Sequence, residues 1–311
     1  MPIDLKQIAK TEQLFAPGHR ACAGCGATVI IRQVLAAAGE NTVVGFATGC
    51  MEVVTTIFPY TAWNVPFLHV AFENVAAAIS GVESAFKALK RKGKIPGNQR
   101  LNFIAFGGDG GTYDIGLQAL SGAMERGHNL LYICYDNGAY MNTGIQRSSA
   151  TPYGAHTTTS PAGKEIPGKL QWRKDLTEIM VSHDIPYAAQ AAPSHWQDLM
   201  QKVQKALSIE GPKFMNVLSP CPLGWYYPTE KTIEMAKLAV ETKYWPLYEV
   251  ENGVHRITVK PRKFKPVEEW LKGQGRFRHL FKDENKWMIE HIQKEVDRRW
   301  ERLLKLEEAG L

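Results

Sequence analysis

The sequence predicts an α/β fold: a mostly parallel sheet flanked by helices, followed by a C-terminal extension. Three observations predict it. Short apolar runs alternate with segments of helical periodicity from about residue 28 to 220. The connections between runs are long enough to hold a helix, so each strand–helix–strand unit should cross over right-handed and leave its strands parallel. Finally, "GGDGGTYDIG" (107–116) places four glycines and an acid between the apolar run "LNFIAF" and a helical segment. Open α/β sheets bind ligands at such turns. The 311 residues, 44% of them hydrophobic, suffice for a substantial core.

The elements follow in order. "TVVGFATGC" (42–50) reads as a strand ending in a turn, and "FLHVAF" (67–72) as a second. In 74–93, Val75, Ile79, Val82, Phe86 and Leu89 recur at helical spacing, with Lys and Arg in the last turn and Gly93 as a stop. "LNFIAF" (101–106) is a strand, 113–126 a helix ending at Gly127, "LLYICY" (130–135) a strand, and "KFMNVL" (213–218) the last strand. Residues 138–170 lack apolar periodicity, and a loop of that length inside a compact domain points to function. From about 225 the sequence turns aromatic, Pro-punctuated and charged. The reading is one domain over 1–224 and an extension over 225–311 that packs on partner subunits. No internal repeat is visible.

Charge and composition exclude several classes. The formal net charge is +6, with excess in "VKPRKFKP" (259–266) and "VDRRWERLLK" (296–305). Acidic residues interleave with the basic ones in the tail, which suits solvated helix faces and protein contacts rather than nucleic acid. No run of 18 apolar residues exists, so no transmembrane helix is expected. "MPIDLKQIAK" lacks the apolar core of a secretory signal, and a cytoplasmic location is expected. The five cysteines should then be reduced, metal-bound or catalytic rather than disulfide-bonded.

Asp109 follows one predicted strand directly and Asn137 the next, 28 residues later. In a parallel unit both turns emerge at the carboxyl edge of the sheet. Asp109 offers a carboxylate oxygen, Asn137 its amide oxygen, and Ala139 a backbone carbonyl just beyond. Such hard oxygen ligands suit Mg²⁺, which also takes oxygens from a diphosphate. Glycines at 107, 108, 110 and 111 let the backbone approach phosphate, and the following helix N-terminus points N–H groups at the same anion. A Gly-rich turn with an acid is common by itself. The Asn on the next strand makes it specific, and Gly108-Asp109-Gly110 with Asn137 resembles the thiamine diphosphate motif.

The cysteines run Cys22-x2-Cys25-x24-Cys50, then Cys134 and Cys221. The first pair lies in the Gly-rich "GHRACAGCGAT". Cys50 ends a predicted strand and Cys221 follows another, so both should approach the edge that carries Asp109. Four thiolates from such loops can hold Zn²⁺ or a [4Fe–4S] cluster, and a single CxxC can be a redox dithiol. The lone Cys50 and distant Cys221 suit a compact zinc knuckle poorly. Cys134, inside "LYICYDN", reads as a buried core thiol.

"GHRACAGCG", "TGC", "GDGGTYDIGLQALSGAMERGH", "YDNGAYMNTGIQRSSATPYGA", "TTTSPAGK" and "SPCPLGW" together resemble the β subunit of the pyruvate:ferredoxin oxidoreductase (pyruvate synthase) family, over about residues 14–280. The resemblance implies a thiamine-diphosphate-binding fold of the diphosphate-holding type. It implies oxidative decarboxylation of a 2-oxoacid, with the acyl group passed to coenzyme A and the electrons through [4Fe–4S] clusters to ferredoxin. By matching motifs, Cys22, Cys25, Cys50 and Cys221 would hold one cluster. Asp109, Asn137 and the Ala139 carbonyl would hold Mg²⁺. Gly49, Gly108, Gly110 and Thr143 would line the cofactor, and Asn142 would lie near the thiazolium and substrate. The partners implied are α, γ and δ-type subunits, separate or fused. Gly138 stands where a larger, often acidic residue would be unsurprising, at a position whose side chain is not a ligand.

In the family, the Glu that meets the pyrimidine ring belongs to the α subunit. Glu52 and Glu73 read as structural carboxylates, so this chain alone is expected to be inactive. His19 and His69 read as structural histidines. Arg147 suits a substrate carboxylate or a loop ion pair, and "GWYYP" (224–228) should pack over Cys221. Two rival readings stay open. One is a β subunit acting on another 2-oxoacid, such as 2-oxoisovalerate, 2-oxoglutarate or oxalate. The other is a zinc-stabilised nucleotide- or nucleic-acid-binding module.

Overall fold

The computed structural model describes residues 5–10 and 12–311. Residues 1–4, which begin the stretch read above as lacking a secretory signal, lie outside the described residues. The strands are β1 (Thr42–Ala47), β2 (Phe67–Val70), β3 (Asn102–Gly108), β4 (Leu131–Asp136), β5 (Tyr187–Ala191), β6 (Lys213–Leu218), β7 (Leu247–Glu251) and β8 (Val254–Val259). They form one sheet in the order β2-β1-β3-β4-β6-β5-β7-β8. β1 to β6 pair in parallel, and β7 and β8 are antiparallel.

The central strands are buried on both faces, and their side chains sort by period two. Ile104, Phe106, Leu131, Ile133, Met215 and Val217 enter one core, under the helices Gly26–Ala38 and Trp196–Ser208. Phe103, Ala105, Tyr132, Cys134 and Phe214 enter the other, under Val75–Arg91, Leu117–Glu125 and Leu176–Val181. Cys134 is thus a fully buried thiol on that second face.

The helix Val75–Arg91 agrees with the predicted periodicity, its Val75 and Ile79 packing into the second core. The predicted helix over 113–126 has two parts. A π-helical turn, Gly111–Ile115, closes with Gly116 N–H donating to Gly111 O, and Leu117–Glu125 follows as regular α-helix. Wide turns of this kind are common at functional sites.

Two features went unread in the sequence. β5, "YAAQA", consists mostly of alanine, which carries little strand preference. β7 and β8 form a hairpin around Asn252-Gly253, both at positive φ, so the sheet continues past residue 224. The segment after 225 also joins a third core: Trp225, Trp245, Trp270 and Phe277 pack with Ala155, Ala192 and Leu218.

The chain direction places a crevice. β2 lies on one side of β1 and β3 on the other. The connection leaving β1 sends Met51 into the first core, while that leaving β3 sends Leu120 into the second. The two connections therefore part over the carboxyl ends of β1 and β3, which opens a binding crevice between them.

Candidate cofactor and cluster site

A small pocket of about 30 Å³ lies in that crevice. Gly49, Cys50, Gly108, Asp109, Gly110, Asn137, Ala139, Asn142 and Thr143 all line it, together with Thr48, Phe72, Tyr135 and Tyr140. Every predicted cofactor and magnesium residue therefore meets at one place. A roomier cleft of about 190 Å³, between Trp172, Trp245 and Arg299, carries none of them. Chemistry, not volume, selects the site.

The glycines clear it. A Cβ on Gly110 would lie 2.5 Å from the Tyr140 ring, and one on Gly49 would lie 2.8 Å from the Tyr135 hydroxyl. Tyr140 in turn stacks on Phe72. Asn142 and Thr143 are exposed on the loop above, where Thr143 Oγ1 donates to Gln146 Oε1 at 2.5 Å.

Beneath the glycines, oxygens converge. Asp109 is 1% exposed. Its Oδ1 accepts from Asn137 N–H at 3.3 Å, and its Oδ2 accepts from Ser148 Oγ at 2.5 Å. The Asn137 amide oxygen lies 2.8 Å from Ala139 O and 2.8 Å from Asp109 Oδ1; turning the amide over would make its NH₂ a donor to both. Oxygens this close need a shared hydrogen or a cation between them. A Mg²⁺ bonded at about 2.0–2.1 Å to each would set neighbouring oxygens about 2.9 Å apart. With the amide turned over, its NH₂ bonds both oxygens; with its oxygen inward, Asp109, Asn137 and Ala139 offer the hard oxygen donors that Mg²⁺ takes. Burial and the neighbouring Asp136 carboxylate push Asp109 well above the ordinary carboxylate range, a penalty that a bound cation reverses.

Asp136 belongs to a second layer that the sequence reading missed. Its Oδ2 accepts from Tyr113 Oη at 2.6 Å and pairs with Arg173, and its Oδ1 accepts from Gly138 N–H. Asn216 Nδ2 donates to the same Tyr113 oxygen at 2.7 Å. These groups fix the carboxyl end of β4, and hence Asn137.

The cysteine loops are tied together beside this pocket. Cys25 N–H donates to Cys22 O at 3.1 Å, and Gly26 N–H donates to Pro220 O at 3.1 Å, next to Cys221. Cys25 Sγ lies 4.0 Å from the sulfur of Met51, next to Cys50. Close approach explains the glycines of "CAGCG": a Cβ on Gly24 would lie 2.2 Å from Thr229 O, and one on Gly26 2.7 Å from Pro220 O. All five cysteines are free.

The thiols feel one another. Burial pushes Cys50 up to about 12, with Cys221, Cys25 and Cys22 adding to the rise. Burial also pushes Cys221 up to about 11, against the Gly224 N–H that donates to its sulfur. Four crowded thiols whose thiolates repel are suited to a polycationic centre. Among the described residues, no three His, Cys, Asp or Glu side chains converge on a point for one ion. A four-iron cluster carries its ligands on separate corners, so its sulfurs stand apart. Four thiolates from these loops are a donor set that a four-iron cluster, with one ligand on each iron, would take.

The remaining candidates lie close by. His19 stacks on Phe15, its pKa lowered by burial and by Arg32. Arg147 is exposed on the long loop. Of "GWYYP", Trp225 is buried one turn after Cys221 and donates from Nε1 to Asn137 O at 2.6 Å, while Tyr226 is 45% exposed. Glu52 is buried near His69, and Glu73 is exposed. No helix among the described residues is long and apolar enough to cross a membrane.

Comparison with known proteins identifies the group. Residues 47–217 match the model of the thiamine pyrophosphate enzyme C-terminal TPP binding domain, a span from the end of β1 to β6. Pyruvate synthase subunit PorB of Thermotoga maritima is 58% identical over 99% of this chain and 98% of its own length. The PorB subunit of Methanocaldococcus jannaschii is 61% identical over 92% of this chain and 95% of its own. Ketoisovalerate oxidoreductase subunit VorB of Pyrococcus abyssi is 50% identical over 99% of both. A solved 2-oxoglutarate:ferredoxin oxidoreductase from Magnetococcus marinus shares the fold, with a TM-score of 0.53 at 18% identity over 90% of this chain and 92% of that one. The chain belongs to the pyruvate synthase β-subunit family of thiamine pyrophosphate enzymes, the 2-oxoacid:ferredoxin oxidoreductases.

Proposed function

We propose that the chain is the β subunit of a pyruvate synthase, an enzyme that oxidatively decarboxylates pyruvate with coenzyme A to acetyl-CoA and CO₂ and passes the electrons to ferredoxin. The single observation that carries this is the meeting of two donor sets on one rim: the oxygens of Asp109, Asn137 and Ala139 beside the loops of Cys22, Cys25, Cys50 and Cys221. The identity to PorB subunits over nearly the whole chain supports the substrate.

Asp109, Asn137 and the Ala139 carbonyl would hold Mg²⁺, with Gly49, Gly108, Gly110 and Thr143 against a diphosphate-bearing cofactor and Asn142 facing the substrate. Cys22, Cys25, Cys50 and Cys221 would hold one [4Fe–4S] cluster. When bound, thiamine diphosphate supplies the carbon nucleophile and electron sink, and the cluster a one-electron acceptor. The chain's own work is to position, to exclude water and to accept charge. Trp225 and Tyr227 are buried in the core against which Cys221 packs, and would shield that sulfur from water.

The pocket supports dependence on a partner. The pocket is shallow and open at its mouth, where Asn142 and Thr143 are exposed, so a second surface would complete the cofactor site. We assign that surface to an α subunit, with γ and δ-type subunits, separate or fused, carrying further clusters. Exposed residues of the 225–311 segment, Ile233, Val254 and Trp287, suit contact with those partners. Five free cysteines support a cytoplasmic location.

A second reading rests on the VorB relative: the same chemistry on 2-oxoisovalerate. Assay of the anaerobically assembled complex with pyruvate, 2-oxoisovalerate, 2-oxoglutarate and oxalate decides between them. Coenzyme A-dependent ferredoxin reduction should be highest with pyruvate. Preference for a branched substrate would move the chain to the second reading, and no reduction with any of them would refute both.

A further inference from the structure

Thr48 and His69, at the rim of the pocket, have no part in the account so far. Thr48 lines the pocket, just past the end of β1 and two residues before Cys50. Its hydroxyl is 2.9 Å from His69 Nε2, on the edge strand β2, and 3.1 Å from the Val70 carbonyl. On the other side of the ring, His69 Nδ1 lies 3.5 Å from Glu52 Oε1. Glu52 is buried, and its Oε1 accepts a hydrogen bond from Thr56 Oγ1 at 2.8 Å. The His69 side chain is 48% exposed. The hydroxyl of a pocket-lining residue is therefore joined through an imidazole to the surface of the chain, with a buried carboxylate behind the ring.

What such a chain of groups is for follows from the balance of the reaction, and this step rests on the function proposed above. Pyruvate anion and the coenzyme A thiol give acetyl-CoA, CO₂, two electrons and one proton. The charge is −1 on each side, counting these groups alone. The electrons have an exit at the cysteines, toward ferredoxin. The proton, lost from the thiol, needs an exit of its own, because a positive charge stranded in a closed site is costly.

We propose that Thr48, His69 and Glu52 form the proton exit of this site. The Thr48 hydroxyl gives its proton to His69 Nε2 while its oxygen takes one from the pocket side. His69 becomes the imidazolium beside the Glu52 carboxylate and releases its Nδ1 proton to water; the Nε2–H ring left behind regains the Nδ1–H form by proton exchange with water at its exposed edge before the next turnover. Thr48 ends unchanged, and the Val70 carbonyl offers its hydroxyl a second resting direction. His69 is the one group that changes charge. Electron and proton exits thus start two residues apart, at Cys50 and Thr48.

The direction of the relay requires His69 to be in the Nδ1–H tautomer, donating toward Glu52 and accepting at Nε2. NMR of the ring nitrogens in the histidine-labelled chain, assigned with His69→Gln, reads this without turnover. The Nδ1–H form is expected, with an Nε2 shift that moves in Thr48→Val. An Nε2–H ring donating to Thr48 would overturn the proposal. In the assembled complex, His69→Gly should lower pyruvate oxidation by about 10–100-fold and keep its iron and thiamine. Added imidazole should restore activity severalfold, which a merely structural role would not allow. Full activity of His69→Gly, or a loss that imidazole does not repair, would equally sink the relay. A wild-type complex unable to oxidise any 2-oxoacid would refute the function instead, and the tautomer would still decide the relay.

Discussion

Trp225 Nε1 donates to the carbonyl of Asn137 at 2.6 Å, across 88 residues of sequence. One end of this bond lies a single turn after Cys221, and the other is a proposed magnesium ligand. Trp225 is buried, so its loss leaves a buried carbonyl without a partner, at about 1–3 kcal/mol. Trp225→Phe should lower the melting temperature of the complex by about 2–6 °C and weaken magnesium-dependent cofactor binding, while iron content stays unchanged. Calorimetry and metal analysis check this. Wild-type cofactor affinity in the variant would show that the bond does not set the Asn137 position.

Asp109 separates binding from stability. Its carboxyl is held high by burial and by Asp136, so without a cation it destabilises the fold. Asp109→Asn should leave the cofactor-free chain as stable as the wild type or more so. The same change should weaken binding of magnesium and thiamine diphosphate by at least about tenfold. Thermal shift with and without both ligands reads the two effects. An undiminished ligand-induced shift would remove Asp109 from the metal site.

The cysteines divide into two kinds. Cys221→Ser should bleach the broad visible absorption of the reconstituted chain and lower its iron content from about four atoms. Cys134→Ala, on the opposite face of β4, should leave both unchanged and cost only packing. Bleaching by the second substitution, or none by the first, would rearrange the ligand set.

Lys169 predicts a pH dependence. It is 2% exposed, donates to Thr151 O at 2.6 Å and makes no ion pair among the described residues. Burial, with Arg147 and Arg173 adding, lowers it from the ordinary 10.5 to about 7. Between these values the unfolded chain binds the extra proton, so stability rises with pH through that window. Below about 7 both states are protonated and the buried ammonium exerts its full penalty. The wild-type urea midpoint should climb from pH 7 to 9, and Lys169→Met should climb less, the remainder coming from Lys213, which burial lowers to about 8. Parallel profiles for the two proteins would contradict it.

How much of this was legible depended on sequence distance. β1 to β4 and β6 announce themselves because each apolar run is closed by a turn signal: Gly or Asp/Asn after the first four, Ser219-Pro220 after β6. β5 does not, since its alanines are chosen for tight packing rather than strand preference. The β7–β8 hairpin carried a readable two-residue Asn-Gly turn inside a segment taken for an extension. At the site, Asp109, Asn137 and the cysteines were legible because chemistry demands those residue types at those turns. Ser148, Arg173 and Trp225 were not. Their partners lie 39, 37 and 88 residues away, and no local pattern marks a side chain whose purpose is to hold another in place.

The central claim is that one rim of the sheet holds both an iron–sulfur cluster and the metal of a diphosphate cofactor. Anomalous diffraction from the anaerobic complex, grown with thiamine diphosphate and Mn²⁺ in place of Mg²⁺, tests it directly. The account predicts iron density enclosed by the sulfurs of Cys22, Cys25, Cys50 and Cys221, and a separate manganese peak among the oxygens of Asp109, Asn137 and Ala139. Zinc in place of iron, or manganese bound away from those oxygens, would contradict it.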